Sequence, residues 1–231
     1  MQTLSGAGPG IMYPNGMTTH YFSPHADAEF KRGTLEVTLK GVPYTVAVAN
    51  EVFSARKLDR GTSVLLHRVP YVPLGKETLM LDLGCGWGPI SLALKTLYPQ
   101  TELLAVDVNP RALELTEENL SANGFSRYCV LPPHRALEKL AAEKRKIDLI
   151  WANPPIRIGR EKLHGMLLQW FSLLGREAHA FFTVQKNLGA DSLQKWLIGN
   201  GFTCEKIGSA KGYRVFGLTR GTFNPPEAQA E

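Results

Sequence analysis

The sequence predicts an α/β protein: a doubly wound, mostly parallel sheet of seven strands, with an antiparallel strand near the C-terminus and a β-hairpin extension at the N-terminal side. Three observations carry this. From residue 78 onward, short apolar runs alternate with stretches of helical period, the pattern of strand–helix–strand units. Two of those runs, "TLMLDLG" and "IDLIWA", are apolar almost throughout, as strands covered on both faces require. Before residue 50, two segments alternate with period two instead.

Taken in order, Leu35–Leu39 and Tyr44–Val48 alternate and are joined by Lys-Gly-Val-Pro, which predicts a hairpin with a four-residue connection. Residues 61–69 predict a short helix. "TLMLDLG" is a buried strand, residues 88–97 a helix and "ELLAVDV" a second strand. Asn109-Pro110 opens the next helix with an N-cap followed by proline at the first helical position, and Asn123-Gly124 stops it. "RYCVL" is a weaker strand, followed by a helix over 134–145. After the strand "IDLIWA", the residues Leu163, Met166, Leu167, Trp170, Phe171 and Leu174 fall on one helical face and predict core. "EAHAFFTVQ" is a strand, 190–200 a helix, and "FTCEKI" and "RVFGLT" two strands. The link between those last two is too short for a crossover helix, so one of them runs antiparallel.

Composition bounds the rest. The 231 residues, 44% hydrophobic and 20% charged, can form one sizeable core and are neither a disordered chain nor a coiled coil. The net charge of +5 is concentrated late: residues 151–231 carry ten basic and six acidic side chains. That excess hints at an anionic partner and is also compatible with an ordinary solvated surface. Cys85, Cys129 and Cys204 are widely spaced and odd in number, which argues for a reducing compartment and against a metal site. The N-terminus lacks the basic and apolar regions of a signal peptide, and no apolar run approaches the about 20 residues that span a membrane. A cytoplasmic protein with no membrane partner and no metal is expected.

Two motifs carry chemistry. In "LDLGCGWGPISLAL", Gly84, Cys85, Gly86 and Gly88 form a turn between a strand and a helix, where glycines let the backbone approach a ligand. Asp107 ends the next strand, 23 residues after Gly84, where an acid suits the two hydroxyls of a ribose, and Val108 follows it. The dinucleotide spacing would need Gly or Ala at position 89, which is Pro89. Asp82, two positions before the first glycine, would repel a pyrophosphate but accept hydrogen bonds from a positively charged amino-acid moiety. A tight turn without a ligand is the plainer alternative.

The second motif is Asn153-Pro154-Pro155, which ends the strand "IDLIWA" on the same rim as the glycine turn. An aromatic exocyclic amine is a poor nucleophile because its lone pair is delocalised. An Asn oxygen and a backbone carbonyl can each accept one of its N–H bonds, and both contacts strengthen as charge builds on nitrogen. The paired prolines fix the backbone that aims the Pro154 carbonyl. A plain strand stop is the alternative. Arg157 and Arg160 flank the turn and either hold phosphates or sit in solvent; Lys186, Lys211 and Arg214 would extend such a surface. The mixed charges of "EKLAAEKRK" predict a solvated helix face, and His164 a structural role.

The pattern D-x-G-x-G-x-G followed by a distal acid resembles the class I S-adenosylmethionine-dependent methyltransferases, and Asn-Pro-Pro after a buried strand resembles the catalytic motif of amino-methyltransferases. Together with "HYFS", "VFS…LDRGTSVLL", "VDVNPRALELTEEN", "ANPPIRIG", "VQKNLGA" and "KGYRVF", the chain is similar over roughly residues 20–220 to the small-domain family of ribosomal RNA guanine-N2 methyltransferases. The resemblance implies a Rossmann-like domain over 71–220 and a hairpin extension over 20–70 packed on it, while composition alone predicts a disordered segment over 1–19, rich in Gly, Pro, Met and Thr, and a tail over 221–231. It implies S-adenosyl-L-methionine as cofactor, held by Asp82, Gly84, Cys85, Gly86, Gly88, Asp107 and Val108, with S-adenosyl-L-homocysteine as product. It places catalysis on Asn153, Pro154 and Pro155, with Phe53, Ile156, Arg157 and Arg160 toward the substrate, a ribosomal RNA or ribosomal subunit. Ile156 stands where many relatives of this kind have an aromatic residue, and "VLPPHRAL" lacks the acid that often faces the cofactor's adenine. Two other functions use the same parts: N-methylation of a glutamine side-chain amide in a protein, and RNA binding without catalysis.

Overall fold

The computed structural model of the chain describes residues 31–52, 54, 56–155 and 158–223. A two-stranded antiparallel ribbon, β1 (Arg32–Leu39) and β2 (Val42–Ala49), leads to α1 (Arg60–Arg68). Then β3 (Leu79–Leu83), α2 (Pro89–Leu97), β4 (Glu102–Val106), α3 (Pro110–Ala122), β5 (Tyr128–Leu131), α4 (Pro133–Ala142) and β6 (Ile147–Ala152) alternate. The chain continues through α5 (Arg160–Phe171), β7 (Leu174–Gln185), α6 (Ala190–Gly199), β8 (Thr203–Ala210) and β9 (Tyr213–Thr219). The large sheet has the order β5-β4-β3-β6-β7-β9-β8. Only β9 is antiparallel to its neighbours, as the short link before it requires. That link is the two residues Lys211 and Gly212, both at positive φ.

This order fixes where a ligand can sit. The chain enters at β3, moves outward to β5, and returns to the other side of β3 with β6. The order reverses between β3 and β6, and open α/β sheets bind ligands beyond the carboxyl ends of the strands at such a reversal. The glycine turn follows β3 and the Asn-Pro-Pro turn follows β6.

Period-two alternation then sorts the side chains. Leu79, Leu81, Leu83, Ile150, Ala152, Phe182 and Leu218 join one cluster with Leu140 of α4, Trp170 and Phe171 of α5, and Leu197 of α6. The expected stripe is part of it, with Met166 packed at its margin, although Leu174 opens β7 rather than continuing α5. Asp82, Trp151 and, beyond the strand end, Asn153 fall on the opposite face, which carries α1, α2 and α3. The hairpin lies on that side. Asn119 of α3 receives Ala47 N at 2.7 Å and donates to Ala47 O and Trp87 O at 2.9 and 2.8 Å. Tyr44 shares a 2.6 Å hydrogen bond with Thr96 of α2.

Several boundaries differ from expectation, and β1 and β7 each begin three residues early, at Arg32 and Leu174. The hairpin turns in two residues, not four, because Lys40 and Gly41 both take left-handed φ (49° and 80°). Val42 and Pro43 therefore extend β2, and Pro43 is tolerated because a two-stranded ribbon leaves edges unpaired. Helix α4 stops at Ala142 rather than running to 145. Lys144 turns left-handed (φ 50°), and Arg145 N closes onto Leu140 O at 3.0 Å. The Arg145 side chain then pairs with Glu102 at 2.5 Å and donates to Glu77 O at 2.9 Å, which draws the chain into β6.

Candidate active site

The turn after β3 is anchored from below. Gly84 N and Cys85 N both donate to Val106 O, at 2.8 and 3.0 Å, so the turn is tied to the end of β4. Asp107 adds a second tie: Oδ2 accepts from Gly86 N and Oδ1 from Asn109 N, each at 2.9 Å. Thr116 of α3 donates to Gly86 O at 3.0 Å. Gly84 and Gly86 lie at φ 83° and 59°, and no heavy atom lies within 4 Å of the place where a side chain would begin. Backbone in this conformation, open on its outer side, is a cradle that a Cβ would fill. Val108 follows Asp107 and is 67% exposed, an apolar surface beside the carboxylate. Burial raises the Asp107 carboxyl, against the N–H bonds from Asn109, Gly86 and Val108.

Asp82 and Gly88 lie behind the cleft wall rather than in it. Alternation directs Asp82 toward α2, where Ser91 donates to Oδ2 at 2.6 Å, and the residue is fully buried. Its Oδ1 has no partner among the described residues. Gly88 is the left-handed N-cap of α2 (φ 90°), and a Cβ there would meet Thr116 at 3.2 Å. Both set the shape of the turn from beneath. Burial pushes the Asp82 carboxyl up to about 7, with the Ser91 bonds opposing it. Its ordinary unfolded value is about 3.9. The folded state therefore holds its proton more tightly between those limits. The stabilising contribution is complete below the unfolded value and is lost as pH rises through about 7. Urea unfolding of the parent and of Asp82→Asn should show the difference shifting in favour of the variant as pH is raised from about 4 to 8.

Asn153 comes off the end of β6 toward α1. Its Nδ2 donates to Asp59 Oδ2 at 2.7 Å and to Thr62 Oγ1 at 3.0 Å. Asp59 is the N-cap of α1, and the same Oδ2 receives Thr62 N at 3.0 Å. Asn153, Asp59, Thr62 and Ser54 line one cleft with Gly84, Cys85, Gly86, Trp87, Pro89 and Ile90; it contains about 340 Å³ of empty space, including its open mouth. The two motifs expected to cooperate thus share a cavity. Pro154 is buried and Pro155 exposed. Arg160, the first residue of α5, is exposed beyond the turn. Phe53, Ile156 and Arg157 lie outside the described residues. Arg214 is committed to an ion pair with Asp191, and Lys186 N donates to Gly212 O at 2.8 Å, which ties the turn holding Lys211 and Gly212 to the end of β7. His164 stacks on Trp196 at 3.8 Å, away from this cleft.

Asp59, Gly61, Thr62 and Tyr213 were not singled out by sequence reasoning. The available signal was Gly61, a residue disfavoured inside a helix. Its reason is close approach: a Cβ there would stand 2.8 Å from Asn153 Oδ1, 2.9 Å from Asp59 Oδ2 and 2.9 Å from Tyr213 Cε1. Gly61→Ala should lower turnover by roughly tenfold or more through displacement of Asn153, although alanine favours the helix by about 1 kcal/mol. Steady-state kinetics at a temperature well below unfolding checks this: activity falls although the variant remains folded.

The sheet order, the open glycine turn and the Asn-Pro-Pro turn across from it define a class I methyltransferase, the class that uses S-adenosylmethionine. The chain belongs to the methyltransferase small domain family, whose model matches residues 43–217. The uncharacterized protein YbxB of Bacillus subtilis is 29% identical over 76% of this chain and 86% of its own length. The ribosomal RNA small subunit methyltransferase C of Stutzerimonas stutzeri is 30% identical over 86% of this chain but 57% of its own. Among solved structures, the T. thermophilus 16S rRNA N2 methyltransferase RsmC, in complex with AdoMet and guanosine, superposes with a TM-score of 0.66 at 20% identity, over 82% of this chain and 50% of that one. The chain thus spans little more than half the length of the methyltransferase C relatives. Among the described residues no helix is long and apolar enough to cross a membrane, and no three His, Cys, Asp or Glu side chains gather as metal ligands would.

Proposed function

We propose that the chain transfers a methyl group from S-adenosylmethionine to an exocyclic amine of an RNA base, guanine N2 of ribosomal RNA, in the cytoplasm. The observation that carries this is the placement of Asn153 on the cleft that the glycine turn lines. The ribosomal RNA methyltransferase names of the relatives support the substrate.

When bound, S-adenosylmethionine supplies an already activated methyl on a sulfonium. The residues present fit it. The open backbone of Gly84 and Gly86 would border it, Asp107 has lone pairs for ribose hydroxyls, and Val108 offers an apolar surface for a base. On the acceptor side, Asn153 Oδ1 and the Pro154 carbonyl each receive one N–H of the amine. These bonds strengthen as nitrogen becomes positive, so they stabilise the transition state more than the ground state. A strong base is not needed, because the proton is acidified once the methyl is gained and can pass to solvent.

Arg160, Lys186 and Lys211 form the basic part of the rim. If they contact phosphates, binding weakens steeply with salt, and each of Arg160→Ala, Lys186→Ala and Lys211→Ala reduces the slope of log K against log salt by about 0.7 to 1. A salt-independent affinity would remove the RNA reading. Incubation with tritiated S-adenosylmethionine and either ribosomal RNA or ribosomal protein separates the substrates: label in RNA supports the proposal, and label in protein replaces it with glutamine-amide methylation. Failure to bind S-adenosylhomocysteine in calorimetry would replace it with RNA binding alone.

A further inference from the structure

We infer that Asp59 is a positioning residue for the methyl-acceptor site: with Thr62, it takes both N–H bonds of the Asn153 carboxamide, so that Oδ1 is the only polar atom of that side chain left to meet an amine. This rests on the catalytic reading of Asn153 above.

An Asn side chain can present either its oxygen or its nitrogen, and the two orientations differ little in shape. Only the oxygen can accept from an amine. A solvated carboxamide would offer both, and half of the encounters would be unproductive. Here the choice is made by chemistry. A carboxylate only accepts, so the group 2.7 Å from Asp59 Oδ2 must be the NH₂. Thr62 Oγ1, in a residue only 4% exposed, takes the second N–H at 3.0 Å. With both donors engaged, rotation by a half turn would face an oxygen to a carboxylate, which is repulsive. The charge also polarises the amide, since hydrogen bonds to its N–H groups shift electron density toward Oδ1. Oδ1 therefore accepts more strongly than a free amide would.

Asp59 can serve two donors with one oxygen because it caps α1: the first turn of that helix points Thr62 N at it, and Gly61 leaves the space through which Asn153 approaches. The contact joins residues 94 apart in sequence. It gives the α1 segment a part in the reaction chemistry, not only in covering the sheet.

Asp59→Ser keeps a side chain able to cap α1 but too short to hold the carboxamide. The first readout needs no substrate. The Asn153 side-chain NH₂ pair, identified in ¹H–¹⁵N spectra by its absence from Asn153→Ala, should lie downfield and exchange slowly in the parent, and move upfield and exchange faster in Asp59→Ser. An unchanged pair overturns the proposal. The second readout is kinetic. Asp59→Ser should lower kcat by roughly tenfold to a hundredfold, with the KM for RNA and the affinity for S-adenosylhomocysteine near the parent's. Added to Asn153→Ala, it should cost less than about twofold more, because residues that act as a unit are not additive. Losses that multiply in the double variant overturn it, as does a fully active Asp59→Ser beside an inactive Asn153→Ala. A fully active Asn153→Ala instead sinks the catalytic reading, while the spectra still decide the contact.

Discussion

Asn153→Ala should lower turnover by on the order of 10²–10³ and leave cofactor binding unchanged. The expectation follows from where the side chain stands. It is off the end of β6, outside the glycine turn that would hold the cofactor, and held by Asp59 and Thr62 through its nitrogen alone. Removing it deletes one of two acceptors whose bonds strengthen as the amine acquires charge, and such acceptors are worth about 2.7–4 kcal/mol when aimed correctly. The loss should fall on kcat, because the interaction is stronger in the transition state than before it. Pre-steady-state methylation with saturating cofactor, alongside calorimetry with S-adenosylhomocysteine, measures the two quantities separately. Equal loss of cofactor affinity would show that the carboxamide belongs to the cofactor side of the cleft.

Asp107→Ala has the opposite signature. Its carboxylate accepts from Gly86 N and Asn109 N at 2.9 Å each, so it fixes the cradle and also stands where a ribose would lie. Hydrogen bonds to a charged group contribute about 1.5–3 kcal/mol, and every 1.4 kcal/mol is tenfold in affinity. The affinity for S-adenosylhomocysteine should fall by roughly tenfold to a hundredfold, while turnover at saturating cofactor changes much less. Titration calorimetry checks this directly. Unaltered affinity would mean that the end of β4 only supports the turn.

Much of this architecture was legible because it depends on local pattern. "TLMLDLG" and "IDLIWA" read as strands buried on both faces, and their order in the chain put the glycine turn and Asn-Pro-Pro at the same end of one sheet. Asn109-Pro110 marked a helix start because proline fits the first helical position. The errors arose where backbone conformation, not hydrophobicity, decided the outcome. Lys40 and Lys144 take left-handed φ without being glycine, and nothing in a lysine announces that. Asp82 accepts from Ser91 on the inner side of the turn, a contact that the glycine motif alone does not reveal. Asp59 was invisible for a different reason. Its partner is 94 residues away, and its second role, as the cap of α1, is served by the same oxygen.

The central claim, that the carboxamide at position 153 receives a base amine while a methyl is delivered to it, is tested most directly by mass mapping of modified nucleosides in ribosomal RNA. The cells should lack this protein and then receive either the parent or Asn153→Ala. The account predicts that one N2-methylguanosine disappears, returns with the parent and stays absent with the variant. Ribosomal RNA with every N2-methylguanosine in place in the deleted cells, or full restoration by Asn153→Ala, would contradict it.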